Sequence, residues 1–297
     1  MPFHLLFPLA SSFLFVFGVM SAKQAIMRKA SPWTGTFWGN QWLAILGVLV
    51  AVVRGSVVEF ELWIPAAVLG AMFVVGQLLT YLAFQVGDVS VATPVFGIKV
   101  ILVATLQSLF SGEVISGRIW VAGIMATSGV VLIQWVDSRA SKLDRRKTVL
   151  SVGIAGSAAL SLSLFDVTLQ AWTKQVNSYD FMPVMFGFVG LLSFVLLPKV
   201  DSVRQLKVMR AFRWMLLATI LMAMQSLSIS YALAEFSDAA RINIVFALRG
   251  MWGVLLAWAL ASRLKTSEAN LPGIVMIRRF VGAVLLTAAV LIAILTK

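Results

Sequence analysis

The chain has 297 residues, of which 60% are hydrophobic and only 12% charged, about half the charge of an ordinary soluble domain. A water-soluble fold of this size could not hide so much apolar surface, so the class is an all-α integral membrane protein crossing the bilayer many times. With no cysteine and one histidine, His4, disulfides, thiol nucleophiles and metal sites built on Cys or His are excluded, and the basic excess of 24 Lys and Arg over 12 Asp and Glu reads first as loop topology and not as nucleic-acid binding.

Apolar stretches predict ten spans, at 4–22, 33–53, 62–85, 89–110, 118–136, 149–172, 178–197, 214–234, 237–260 and 277–296. The first has no basic segment before it and no small-residue cleavage site after it; Lys23, Arg28 and Lys29 follow instead. It reads as a retained span and not a signal peptide. In the second, Gly35-x3-Gly39 suits close helix packing. Trp33, Trp63, Trp120, Trp135 and Trp172 fall near span ends, as interfacial anchors do. Pro32, Pro65, Pro183 and Pro272 also lie at or near span ends, whereas Pro94 sits inside the fourth span and predicts either a kink or a helix break at a wet cavity. Asp88 and Asp238 stand at the starts of helices 4 and 9 and are expected to cap them.

The longest polar interruption, DSRASKLDRRKT from Asp137 to Thr148, divides the chain into two halves of five spans. The expected organisation is a first half at 1–137, a basic cytoplasmic linker at 138–148 and a second half at 149–297. An odd number of spans per half forces opposite insertion, so the two halves are expected to be inverted five-helix repeats. Seventeen Lys and Arg fall in the odd-numbered loops and five on the other side, which places the odd loops in the cytoplasm and both termini outside.

Two cations stand alone in apolar helices, Lys99 in VFGIKVILV and Arg249 in VFALRGMWG. Each costs about 2.5–3.5 kcal/mol to place at the bilayer centre, and intramembrane ionisable residues are functional by default. Their contexts match: Tyr81-x6-Asp88-x10-Lys99 corresponds to Tyr231-x6-Asp238-x10-Arg249, and Val95-Phe96 to Val245-Phe246, at one offset of 150. One acid is placed to balance them, Asp166 in LSLFDVTLQ, leaving one positive charge near the midplane. A carboxylate or phosphate ligand would match it, with Arg249 as a bidentate fork and Lys99 as a point charge. The alternative is structural satisfaction of both cations by protein groups. Asp166 has two readings, a pairing partner for a cation or a proton carrier, and pairing is favoured because a paired carboxylate resists protonation. Asn40, Gln41, Gln77, Tyr81, Asn243 and Trp252 are further candidate substrate contacts, with helix–helix hydrogen bonding or packing as the alternative for each. There is no phosphate-cradling glycine loop, metal cluster or catalytic carboxylate pair, so no enzyme and no cofactor is expected.

The stretches YLAFQVGDVSVATPVFGIKV (Tyr81 to Val100) and YALAEFSDAARINIVFALRG (Tyr231 to Gly250) resemble the fourth- and ninth-helix motifs of the drug/metabolite transporter superfamily, and within it the EamA-type ten-span carriers. The resemblance extends over nearly the whole chain. It implies alternating access around a central cavity, a small-molecule substrate such as an amino acid or a sugar-phosphate-like compound, a bacterial inner membrane, and either proton coupling or a counter-substrate; no nucleic acid takes part. Two features depart from the family: Phe17-Gly18 replaces a frequent tryptophan-glycine pair, and the charge count puts the termini outside where many relatives have them in the cytoplasm. Two rival functions stay open, an exporter of neutral or cationic compounds centred on Asp166 and a non-transporting membrane subunit.

Overall fold

The computed structural model describes residues 2–56, 59–86, 95–110, 115–134, 145–253, 255–256 and 273–296. These residues form helices and turns, with no strand among them. We number the helices α1 (Leu6–Met27), α2 (Pro32–Arg54), α3 (Trp63–Val86), α4 (Lys99–Phe110), α5 (Gly117–Gln134), α6 (Arg145–Thr173), α7 (Ser178–Leu192), α8 (Val203–Val208), α9 (Phe212–Phe236), α10 (Ala239–Phe246) and α11 (Gly273–Leu295). Among the described residues, eight helices are long and apolar enough to cross a membrane. The fourth and ninth expected spans are shorter there: the fourth is a 3₁₀ turn, Phe96–Ile98, followed by α4, and the ninth is α10 followed by helical residues 249–253. Pro94 and Asp88 lie outside the described residues.

Local sequence explains several ends. α2 begins with Pro32 in its first turn, where a missing N–H costs nothing. It ends on Gly55 at φ 67°, the left-handed conformation that glycine adopts without strain. Pro183, expected at a span end, falls inside α7. Its ring deprives the Tyr179 carbonyl of its intrahelical partner, and the Ser56 hydroxyl donates to that carbonyl at 2.7 Å instead. The last turns of span seven tighten into a 3₁₀ stretch, Ser193–Lys199, that contains Pro198. α8 is a helix where the sequence reading placed only a loop; its start is a capping box of Ser202 and Gln205. α6 begins at Arg145, so the end of the expected linker is helical.

Packing is reciprocal between the halves. α1 lies along α9 and α3 along α6; α3 meets α7 as α2 meets α9; α4 meets α6 as α1 meets α10. α2 with α7, α4 with α10 and α5 with α11 pair like with like. The α5–α11 seam brings two backbones together: a Cβ on Gly129 would come within 2.8 Å of the Gly282 carbonyl, and one on Gly282 within 2.7 Å of the Gly129 carbonyl. Gly35 and Gly39 do face α9, at ordinary van der Waals distances of 3.4 and 4.0 Å. The largest buried cluster unites residues of both halves, with Leu69, Phe181 and Leu233 among its fully enclosed members.

Candidate functional site

Asp166 lies in α6 and is 4% exposed. Its Oδ2 receives the Lys99 ammonium at 2.8 Å and the Asn243 side-chain amide, also at 2.8 Å. Asn243 is itself buried, and its Nδ2 is shared with the Ala239 carbonyl one turn back in α10. One carboxylate oxygen thus ties together α4, α6 and α10. Of the two roles open to Asp166, this geometry is that of pairing: an ammonium and an amide N–H both meet one carboxylate oxygen. Lys99, expected as a ligand group, has its charge matched by protein.

Arg249 has a different environment. Its Cζ stands 4.2 Å from the Phe246 ring centroid and 4.8 Å from that of Phe15, and the two rings meet edge to face at 5.9 Å. Among the described residues, no salt bridge and no hydrogen bond engages its guanidinium. Aromatic faces attract the cation by about 0.5–2 kcal/mol, but they offer no lone pair to its N–H groups. Its five N–H donors lie in the guanidinium plane and keep their capacity for an acceptor.

Both cations directly follow a tightened turn. Lys99 follows the 3₁₀ turn Phe96–Ile98. Before Arg249 the chain leaves α-helical geometry at 247–248: Leu248 N–H donates to the Val245 carbonyl at 3.1 Å and Gly250 N–H to the Ala247 carbonyl at 3.0 Å, both three residues back. Such mid-span tightening often marks a functional hinge.

The start of α10 shows where the capping expectation needs correction. Asp238 occupies the N-cap position but makes no side-chain capping bond. Its carboxylate goes to His4 at 3.1 Å and Arg241 at 3.5 Å. The orphan amides are met from other helices: Ala239 N–H donates to Gln170 Oε1 at 2.8 Å and Ala240 N–H to Gln107 Oε1 at 3.0 Å. With those donors taken, the carboxylate is free to pair with cations. Gln107 was recognisable as a polar residue within a span; Gln170 gave no spacing signal.

The remaining candidates separate. Gln41 donates to the Gly190 carbonyl at 3.0 Å and the Ser193 hydroxyl at 2.9 Å, so it works in the α2–α7 seam. Asn40 is buried, and its Nδ2 has no partner among the described residues; the same holds for Gln77 Oε1 and Trp252 Nε1. Trp252 stacks on Phe13 at 4.5 Å. The Tyr81 side chain lies outside what is described, while its counterpart Tyr231 hydrogen-bonds the Tyr179 hydroxyl at 2.8 Å. A polar cavity of about 350 Å³, missed by the sequence reading, opens at the ends of α6, α7 and α9, where Ser178 donates to Glu235 at 2.6 Å.

An integral membrane protein with apolar crossing helices and a small charged cluster between its halves fits a solute carrier. The family model for EamA-like transporters matches residues 2–135. The first part of the chain is thus similar to the EamA-like transporter family, which lies in the drug/metabolite transporter superfamily. Transporters of that family act on small molecules in a bilayer. Comparison with curated proteins gives no match. Among solved structures 28 chains match. One, a crystal structure described only as that of a protein, is similar with a TM-score of 0.70 at 14% identity, over 98% of this chain and 96% of the other. At that identity the likeness speaks for the fold.

Proposed function

We propose that this protein is a secondary-active carrier of a small organic anion, a carboxylate or phosphate compound such as an amino acid or a sugar-phosphate-like metabolite. It works by alternating access, rocking two inverted five-helix halves about a site near the bilayer midplane. The reciprocal helix packing and the 150-residue offset between the two cation motifs support the repeat, and the Lys and Arg distribution supports outside termini. The observation that carries the substrate class is Arg249, a guanidinium between two aromatic rings that Asp166 influences through space but that no carboxylate among the described residues engages in a salt bridge or hydrogen bond. Lys99, Asp166 and Asn243 form the neighbouring support. Exchange or proton coupling drives the cycle.

The rival in which Asp166 recognises a cation is weakened by its two bound donors. The test is flux in proteoliposomes of wild type, Arg249→Ala and Asp166→Asn, with carboxylates, phosphates and organic cations as solutes. Anion flux abolished by Arg249→Ala is expected. Full anion flux in a correctly inserted Arg249→Ala carrier, or cation flux lost in Asp166→Asn alone, would refute the proposal.

A further inference from the structure

The two halves frame their cations with matching parts. At the offset of 150 that relates Lys99 to Arg249 and Phe96 to Phe246, Ser11 corresponds to Ser161, Leu14 to Leu164 and Phe15 to Phe165. Both serines bond a backbone carbonyl of the helix that faces them. Ser161 on α6 donates to the Met72 carbonyl of α3 at 3.0 Å, and Ser11 on α1 donates to the Gln225 carbonyl of α9 at 3.3 Å. Their ring partners differ: Phe165 packs on Phe73 of α3, whereas Phe15 packs on Phe246 beside Arg249. The next residue breaks the match: Asp166 in the second half, Val16 in the first. Val16 is 4% exposed and follows the phenylalanine whose ring touches Arg249. The carboxylate that pairs with Lys99 therefore has no counterpart at position 16, and among the described residues no carboxylate makes a salt bridge to Arg249; Asp166 acts on it only through space.

We infer that the substrate is a singly charged carboxylate with an apolar body, and that its carboxylate stands where the repeat partner of Asp166 would stand, at the Val16 position beside Arg249. This rests on the anion-carrier reading and narrows it. With Lys99 matched by Asp166, the cluster carries one unmatched positive charge. A single carboxylate balances it, whereas a phosphate dianion would leave a new unmatched negative charge in a site of low polarity, which is costly. A second donor is in place: the buried Trp252 Nε1 has no partner among the described residues and lies three positions after Arg249, on the same side of the helical residues 249–253. Phe13, Phe15, Phe246 and the Trp252 ring supply apolar surface for the rest of the molecule.

The experiment uses the full chain, purified in detergent, and reads melting temperature in two arms. The first needs no ligand. Val16→Asp supplies the missing carboxylate, so it is expected to melt at or above wild type, and to melt several degrees below Arg249→Ala when placed on that background. Val16→Asn, which brings polarity without charge, should not show this dependence on Arg249. Equal effects of Val16→Asp on both backgrounds overturn the inference. The second arm uses phenylacetate, phenylacetamide and phenyl phosphate as probes. Phenylacetate is expected to stabilise wild type and to lose at least about tenfold in apparent affinity in Val16→Asp; phenyl phosphate binding more tightly than phenylacetate overturns the single-charge assignment. The two proposals fail differently: coupling between positions 16 and 249 with no anion response sinks the carrier reading, while an Arg249-dependent anion response without coupling sinks only this one.

Discussion

Removing Asp166 tests whether the Lys99 pair is scaffold or substrate site. The pair meets at 2.8 Å with side chains 13% and 5% exposed. At that separation the attraction is about 6 kcal/mol at an effective dielectric of about 20, and desolvation offsets much of it. What decides the outcome is the partner left behind. In Asp166→Ala the Lys99 ammonium and the Asn243 amide both lose their acceptor, and breaking a buried pair on one side costs about 3–5 kcal/mol. At about 2 °C per kcal/mol for a chain of this size, the melting temperature should fall by roughly 6–10 °C. In Lys99→Met with Asp166→Leu both charges go, and apolar replacements of similar volume are commonly near neutral, so most of the loss should be recovered. Differential scanning of the purified variants reads the stability, and proteoliposome flux reads the function. A double variant as unstable as Asp166→Ala would refute the pairing account. A stable double variant without flux would place Lys99 and Asp166 in the transport machinery itself.

Arg249→Lys keeps the charge but loses the planar fork, so anion affinity should fall by about tenfold, against complete loss in Arg249→Ala; equilibrium binding separates the two. Gln170→Leu strands the Ala239 amide, which now donates at 2.8 Å; a loss of about 1–3 kcal/mol is expected, with faster hydrogen exchange at the start of α10. Gly129→Ala drives a Cβ to 2.8 Å from the Gly282 carbonyl, and the overpacked α5–α11 seam should lose about 1–3 kcal/mol in thermal unfolding.

The long apolar helices and the isolated charges were legible because both are extremes of composition: twenty consecutive apolar residues have few soluble uses, and a lysine among valines stands out. That Asp166 would meet one of the two cations followed from counting charges, since one acid was available. Which cation it would choose did not, because that depends on how α4 and α6 approach each other. The cap of α10 by Gln170 and Gln107 was hidden for the same reason: both acceptors come from distant helices. Asp238 had the right residue type for a cap, yet His4 and Arg241 compete for its carboxylate. α8 was readable from Ser202 and Gln205 but too short to leave a periodic pattern. The Gly129–Gly282 contact needs two helices from different halves, so neither glycine alone carried a signal.

The tighter winding just ahead of each cation has a mechanical consequence. An α-helical residue advances the chain by about 1.5 Å and a 3₁₀ residue by about 2.0 Å. Exchange between these windings over Phe96–Ile98, or over residues 247–248, changes the local length by roughly 1–1.5 Å and turns the following side chain around the axis. A change of winding there would screw each charged group along its own helix axis, shifting its depth and its facing together.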